Sequence, residues 1–194
     1  MPAGAGDKDV KKSGKPVGGL TKKRDDAMAM TRCPGCGAAL PDRHLDPPEK
    51  FNASGECWQA FSDLSCYTVA RQDPGFIHQH AVDAYEAQHA GGNVRPVTVV
   101  FGLIGLYLAL ERGFTGKEVQ QAHMRIAKLR KDWPRLEPPE PRAALTVADV
   151  LAAPEGPERD ALLMQWAAAV WAIWEDRHAW VRETTDALLA GPGK

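Results

Sequence analysis

One apolar stretch constrains the fold of this chain more than any other feature. Val97–Leu110 is the longest apolar run in the sequence, and its 14 residues are too few to cross a bilayer. Pro96 suits the first turn of a helix and Gly113 suits its end, so the stretch predicts a helix from Val97 to Arg112. Because this helix would be apolar on nearly every side, we expect other helices to surround it.

The rest of the sequence predicts more helices and no strand. Helical patterns cover about Ser54–Arg71, Phe76–Ala90, Lys117–Lys131 and Pro157–Leu189, and a capped helix start follows Thr146. No run alternates with a period of two residues, and no Asn-Gly or Asp-Gly turn occurs. The sequence therefore predicts an all-α fold, a single-domain helical bundle of about four to six helices.

The first thirty residues differ in composition from the remainder. They are rich in Gly, Lys, Asp and Ala and hold almost no large apolar side chain, so they cannot bury enough surface to offset their ordering entropy. We predict a disordered tail over residues 1–30 and a helical domain over residues 31–190. Met28 and Met30 are alternative starts to Met1. Because the leader has no apolar segment, a cytoplasmic protein is expected.

The charge balance limits the classes of partner. The formal net charge is −1, which gives no global attraction to nucleic acid or to an anionic membrane. The basic pairs Lys11-Lys12 and Lys22-Lys23 are diluted by neighbouring acids. We therefore expect neither a nucleic-acid nor a membrane partner. A small molecule or a protein remains possible, the latter through the Pro-rich stretch Trp133–Pro141 or the tail.

The most specific chemical signal is Cys33-Pro34-Gly35-Cys36-Gly37. Two intervening residues let both sulfurs face one point, which is half of a tetrahedral zinc site. Four cysteines in a cytoplasmic chain are more typical of thiols or metal ligands than of disulfides. The motif predicts an N-terminal zinc-knuckle-like loop; the alternative is a pair of reduced thiols in a turn.

Three further residues are candidates to complete the zinc site. Cys57 shares a helix face with Phe61 and so points inward, whereas Cys66 lies on the opposite face. His44 lies in the loop that follows the cysteine pair. His89 is the third candidate, because it lies on the apolar face of the second helix.

That second helix carries several polar residues whose faces can be predicted. His78, Tyr85 and His89 share the apolar face, while His80 and Asp83 fall on the opposite, polar side. His78 and His89 are about 16 Å apart along the axis, so one metal ion cannot bind both. An inward histidine can also be a core residue with satisfied hydrogen bonds.

A second histidine site is a separate hypothesis. His123 and His178 lie on the fourth and last predicted helices, and with His78 or His89 they could hold a catalytic metal that keeps an open position. Tyr85 and Arg177 would line the same pocket. Arg177 interrupts the tryptophan-rich apolar stripe of the last helix, which suggests a buried acid partner, an anionic ligand or a head extended to solvent.

Several motifs occur in an order that resembles a known family. They are Cys33-Pro-Gly-Cys36-Gly, Ser54-Gly-Glu-Cys57-Trp58, His78-Gln79, Val82-Asp83-Ala84-Tyr85, Gln88-His89, Leu110-Glu111-Arg112-Gly113, Trp133, Leu136-Glu137-Pro138-Pro139, Leu145–Val150, Trp166, Val170-Trp171, Trp174 and His178. Over about residues 31–183 the chain resembles a small bacterial family classed as a domain of unknown function. The resemblance implies a complete single-domain member and supplies no activity. It implies these functional candidates: His78, Asp83, Tyr85, His89 and His178. Ala90-Gly91 departs from the Pro-Gly expected there.

These observations support one main hypothesis and two alternatives. The main one is an all-helical, cytoplasmic zinc-binding protein whose metal is chiefly structural and fixes the N-terminal loop to the bundle. The first alternative is a metal-dependent enzyme, a hydrolase or transferase, with a histidine-lined site in the bundle. The second alternative is a partner-binding module.

Overall fold

The computed structural model describes residues 29–191, which form seven helices and one two-stranded sheet. The elements are β1 (Met30–Arg32), β2 (Ala39–Pro41), α1 (Gly55–Ala70), α2 (His78–Gln88), α3 (Pro96–Leu110), α4 (Gly116–Leu129), α5 (Val147–Ala152), α6 (Pro157–Ala172) and α7 (Glu175–Ala190). The all-α class is confirmed, with seven helices where four to six were predicted. No helix in this part of the chain is long and apolar enough to cross a membrane. Nearly all of the predicted tail, residues 1–30, lies outside the described residues.

Helix α3 is the centre of the fold, as its composition predicts. It begins with Pro96 in its first turn, is buried along most of its length, and packs against α2, α4, α6 and α7. Two glycines allow α2 to approach it closely. A Cβ on Gly102 would lie 2.7 Å from the Asp83 carbonyl oxygen, and a Cβ on Gly105 would overlap the Asp83 carboxylate. Both glycines are therefore required by packing.

The helix starts agree well with the capping signals of the sequence. The Ser54 side chain accepts a hydrogen bond from the Cys57 backbone N–H at the start of α1. Thr146 and Asp149 form the predicted capping box at the start of α5. These caps fix where α1 and α5 begin, and α1 carries one of the thiols discussed below.

The prediction that the chain contains no strand is wrong for the segment around the cysteine motif. β1 and β2 pair antiparallel, with Met30 opposite Pro41 and Arg32 opposite Ala39. Each strand has only three residues, too few to give a period-two pattern in the sequence. The hairpin presents the cysteine motif at its turn.

The single last helix predicted from Pro157 to Leu189 is in fact two helices. Helix α6 ends at Ala172 and α7 begins at Glu175, with Trp174 outside helical geometry, so the apolar stripe expected to include Arg177 does not run through one continuous helix. Arg177 is exposed, and no ion pair involving it is found within residues 29–191. The buried acid partner suggested for it is therefore not observed.

The predicted polar side of α2 is also wrong. His80 and Asp83 are buried, because α3 and α4 cover the side of the helix that was expected to face water. Helix α2 is packed by α1, α3, α4 and α6, so almost every residue on it is enclosed. A helical wheel assumes one buried face, and this helix has several.

Candidate metal centre

Four side chains from three separate segments meet beneath the hairpin. The donor atoms of Cys33, Cys36, Cys57 and His89 all lie within 4.8 Å of one another, and all four residues are buried. Within residues 29–191 this is the only group of three or more His, Cys, Asp or Glu side chains placed to hold a metal ion. A buried Cys3His group of this kind can bind a metal ion.

The hairpin turn determines where the first two thiols point. The Cys33 backbone N–H donates to the Ala38 carbonyl oxygen, and the Gly37 N–H donates to the Cys33 carbonyl oxygen, both at 2.9 Å. Gly37 has φ +79°, which favours glycine. A Cβ on Gly35 would lie 2.6 Å from the His89 ring, so the turn can approach α2 only with glycine there.

The third thiol comes from the first turn of α1. Cys57 is fully buried, and its Sγ lies 3.7 Å from the Cys36 Sγ. Its position near the helix N-terminus, two residues after Gly55, also stabilises a negatively charged thiolate. This confirms the inward direction predicted for Cys57, while Cys66, on the same helix, is exposed.

The fourth donor is a histidine already oriented as a ligand. The His89 Nδ1 donates to the Tyr85 carbonyl oxygen at 2.9 Å, which leaves Nε2 without a proton and with its lone pair free. That Nε2 lies 3.2 Å from the Cys57 Sγ. A ligating imidazole whose other nitrogen is fixed by a carbonyl oxygen is the usual arrangement at zinc sites.

The distance between the Cys36 and Cys57 sulfurs fits two ligands of a tetrahedral ion better than it fits a disulfide. Zn–S bonds of about 2.3 Å place two sulfurs of a tetrahedron about 3.8 Å apart, close to the 3.7 Å between Cys36 and Cys57. A disulfide requires about 2.05 Å, and all four cysteines are free. The four donors thus surround a space that suits one ion.

The thiols influence one another strongly. Hydrogen bonds from Cys36 and Cys57 lower the pKa of the Cys33 thiol, while Cys33 raises the pKa of Cys36 to about 12. Contact with Cys33 and Cys36 also raises the pKa of Cys57. One thiolate therefore opposes the ionisation of the other two, and a bound cation would remove that opposition.

Aromatic rings exclude water from the site. Tyr85 stacks on His89 with ring centroids 3.9 Å apart, and on its other side it stacks on Phe61 at 4.0 Å. Its hydroxyl points toward the Cys57 Sγ at 3.9 Å, and burial raises its pKa. Tyr85 was predicted to line a catalytic pocket, but it is completely buried and is part of the wall of the cysteine–histidine group.

The structure does not bring His44 to this group. The Glu56 carboxylate accepts hydrogen bonds from the backbone N–H groups of Arg43 and Leu45 and so fixes the loop on both sides of His44. The His44 side chain is 88% exposed and faces Asp42. His44 was selected because it is close in sequence to the cysteine pair, but that proximity does not indicate the direction in which its side chain points.

The histidines of the alternative catalytic site lie in different surroundings. His78 is half-buried, and its Nδ1 lies 2.9 Å from the Thr68 hydroxyl. His178 stacks on Trp171 with ring centroids 3.7 Å apart, and its Nε2 donates a hydrogen bond to the Trp171 carbonyl oxygen at 2.9 Å. His123 is partly buried, and its Nδ1 lies 4.0 Å from an Asp83 carboxylate oxygen. The described part of the chain does not join these histidines into one metal group.

Sequence reasoning found all four donors but could not combine them. His89 was one of three candidates for completing the site, and its sequence position gave no reason to prefer it to His44. One sequence signal could have indicated that the cysteine motif and the segment after His89 meet. Gly35 in the motif and Gly91-Gly92 after His89 are positions at which two backbones can approach closely. Asn52, whose side chain donates to the Ala90 carbonyl oxygen at 3.1 Å, joins these regions in the fold.

Comparison with protein families gives one match and no activity. The model of DUF5946, described as a family of unknown function, matches residues 31–175, and the chain belongs to that family. Comparisons with curated proteins and with solved structures find no match.

Proposed function

We propose that this DUF5946 member binds one zinc ion through Cys33, Cys36, Cys57 and His89, and that the ion is structural. It would join the N-terminal hairpin to the first turn of α1 and the end of α2. The observation that carries this proposal is the convergence of four buried donors within 4.8 Å from segments far apart in sequence.

Three features support a structural rather than a catalytic ion. Four protein donors fill a tetrahedral shell and leave no position for water or substrate. All four donors are buried, with Cys36 the most exposed at 4%. Tyr85 and Phe61 stack in series on the His89 ring and so block approach to the ion from the histidine side.

The ligand set favours zinc among the common ions. Thiolates and a neutral imidazole in tetrahedral geometry suit zinc, whereas magnesium and calcium prefer oxygen donors. The hairpin itself supports a need for metal, since its two strands of three residues each cannot be stable alone. The cytoplasm remains our proposed location, because thiols stay reduced there.

A pair of cysteine variants on one helix tests the proposal. Cys57→Ser removes a buried donor, and Cys66→Ser removes an exposed thiol from the same helix. Elemental analysis of protein purified under reducing conditions should give one zinc per chain for the wild type and for Cys66→Ser, and well under half for Cys57→Ser. Absence of zinc from the wild type, or equal zinc in both variants, would contradict it.

A further inference from the structure

A second group of buried polar side chains lies along α2, away from the metal centre. Gln79, Asp83 and Glu86 recur at helical spacing and face α3 and α4, and α4 adds His123. The Gln79 side chain donates to Asp83 Oδ1 at 2.9 Å. The His123 Nδ1 lies 4.0 Å from the same oxygen, longer than a hydrogen bond.

Asp83 is the most anomalous member of this group. It is completely buried, and its Oδ2 has no hydrogen-bond partner. No Lys or Arg side chain within residues 29–191 forms an ion pair with it. The Nε2 of His123 is likewise buried and unpartnered. Burial, with a smaller contribution from Glu86, raises the pKa of the Asp83 carboxyl well above its usual range, because an uncompensated buried charge is costly.

Glu86 is the carboxylate that lines a cavity between α2, α3 and α4. It is partly buried, and in the described part of the chain it forms neither a hydrogen bond nor an ion pair with another side chain. Burial raises its pKa to about 8. An acidic side chain therefore faces the cavity without a cationic partner from the protein.

The cavity between α2, α3 and α4, called here the α2–α4 cavity, has a volume of about 240 Å³. It can hold roughly eight groups the size of a water molecule. Its walls combine carboxylate, imidazole, hydroxyl and apolar groups from these residues: Gln79, Val82, Glu86, Val97, Thr98, Phe101 and His123. No Lys or Arg lines it.

We propose that the α2–α4 cavity binds a small organic ammonium ion, whose charge is neutralised by Glu86 and whose alkyl part packs on Val82, Val97 and Phe101. The Phe101 ring adds a surface that attracts cations. Glu86 is the one carboxylate that lines the cavity. The ligand class follows from charge complementarity, since an ionised Glu86 without a protein cation beside it suits a cation and repels an anion.

A metal ion fits this cavity less well than an ammonium ion. The side chains around it do not form a group of three donors placed to hold a metal, in contrast to the cysteine–histidine group. The apolar lining also suits an alkyl chain. An ammonium ion needs only one or two hydrogen-bond acceptors and tolerates apolar neighbours.

The cavity also gives the proposed binding a characteristic dependence on pH. The titratable groups near Glu86 are Asp83 on the same helix, whose pKa Glu86 helps to raise, and His123 on α4, while α3 contributes Thr98 and Phe101, which do not titrate. Burial lowers the pKa of His123 to about 4, so it is neutral at pH 7. Glu86 is mostly protonated at pH 7, and a bound cation must displace that proton.

The test uses n-butylammonium and its neutral counterpart n-butanol as probes of the zinc-containing protein. Calorimetric titration at pH 7 should show saturable binding of one n-butylammonium per chain, with heat that varies with the ionisation enthalpy of the buffer. At pH 9, where Glu86 is already ionised, that variation should disappear. Glu86→Gln should weaken n-butylammonium binding at least tenfold and leave the zinc content unchanged.

The control is Glu183→Gln, which changes an exposed glutamate on α7 and should bind n-butylammonium as the wild type does. Circular dichroism would confirm that both variants are folded. The proposal fails if the wild type shows no saturable binding up to 20 mM n-butylammonium (about 2 kcal/mol of affinity), if n-butanol binds equally well, or if Glu86→Gln keeps its affinity within twofold.

Discussion

The two polar regions along α2 differ in how completely their groups are partnered. At its C-terminal end, the His89 imidazole is held by a hydrogen bond to the Tyr85 carbonyl oxygen, and the four donor atoms lie within 4.8 Å of one another. In its middle, Asp83 Oδ2 and His123 Nε2 have no partner, and the neighbouring Glu86 has none from the protein. The groups of the first region converge on one point, whereas Asp83 and His123 in the second are left with unpartnered buried atoms. The extent of hydrogen bonding thus distinguishes the proposed structural metal centre from the candidate ligand site.

Removal of the metal should produce the largest effect. Treatment with a strong chelator under reducing conditions should lower the midpoint of thermal unfolding by about 20 °C, because structural zinc supplies on the order of 10 kcal/mol in small domains. Scanning calorimetry would measure it, and added zinc should restore the midpoint. An unchanged midpoint after complete removal of zinc would show that the hairpin does not depend on the ion.

Two histidine substitutions test which histidine near the cysteine motif binds the ion. His89→Ala should destabilise the protein by about 3–5 kcal/mol and weaken zinc binding at least tenfold, because it removes a fully buried donor. His44→Ala removes an exposed side chain and should change stability by less than about 0.5 kcal/mol. Denaturant unfolding with a zinc competition assay would measure both; similar effects from the two variants would contradict the assignment.

A double-mutant cycle tests how tightly the middle of α2 packs on α3. Gly105→Ala should destabilise the protein by about 2–3 kcal/mol, because the new Cβ would overlap the Asp83 carboxylate. In an Asp83→Ala background the same change should cost less than about 1 kcal/mol. Urea unfolding of all four proteins gives the coupling. Equal costs in both backgrounds would mean that Gly105 is needed for another reason.

The smallest expected effect is the pH dependence of Glu86. Its pKa is raised to about 8 in the folded state from an ordinary 4.5, so the folded protein binds this proton more tightly than the unfolded chain does. The contribution of Glu86 to the free energy of unfolding therefore becomes less favourable as pH rises from about 4.5 to 8, and it is constant above pH 8. Glu86→Gln should remove this loss and stabilise the protein at pH 8.5 by on the order of 2 kcal/mol, less than the full conversion of about 1.4 kcal/mol per pKa unit would give, because the partly exposed carboxylate is screened by solvent.

Unfolding measured from pH 5 to 9 would check that prediction, with Glu183→Gln as the control for a general charge effect. The difference in free energy of unfolding between Glu86→Gln and the wild type should grow with pH and level off above pH 8. A constant difference across this range would show that Glu86 ionises normally in the folded protein.

The sequence predicted the helices well where the signal is local. The apolar run ending at Leu110 and the cap at Thr146 gave a central helix and a short capped helix close to their observed bounds. Each depends on interactions within a few residues. The break at Trp174 was missed because α6 and α7 are both helical and no proline or glycine separates them.

The site was harder to predict because it depends on how separate segments meet. A helical wheel indicated that Cys57 points inward, and spacing indicated that Cys33 and Cys36 face one point. Neither could show that the start of α1 and the end of α2 lie under the same hairpin. The burial of Asp83 was missed for a related reason, since its environment is created by α3 and α4.

The most direct test of the central claim is X-ray absorption at the zinc edge of the purified protein. We expect one zinc per chain with three sulfur ligands at about 2.3 Å and one nitrogen ligand at about 2.0–2.1 Å. A shell dominated by oxygen and nitrogen, or one with fewer than two sulfurs, would contradict a zinc ion held by Cys33, Cys36, Cys57 and His89.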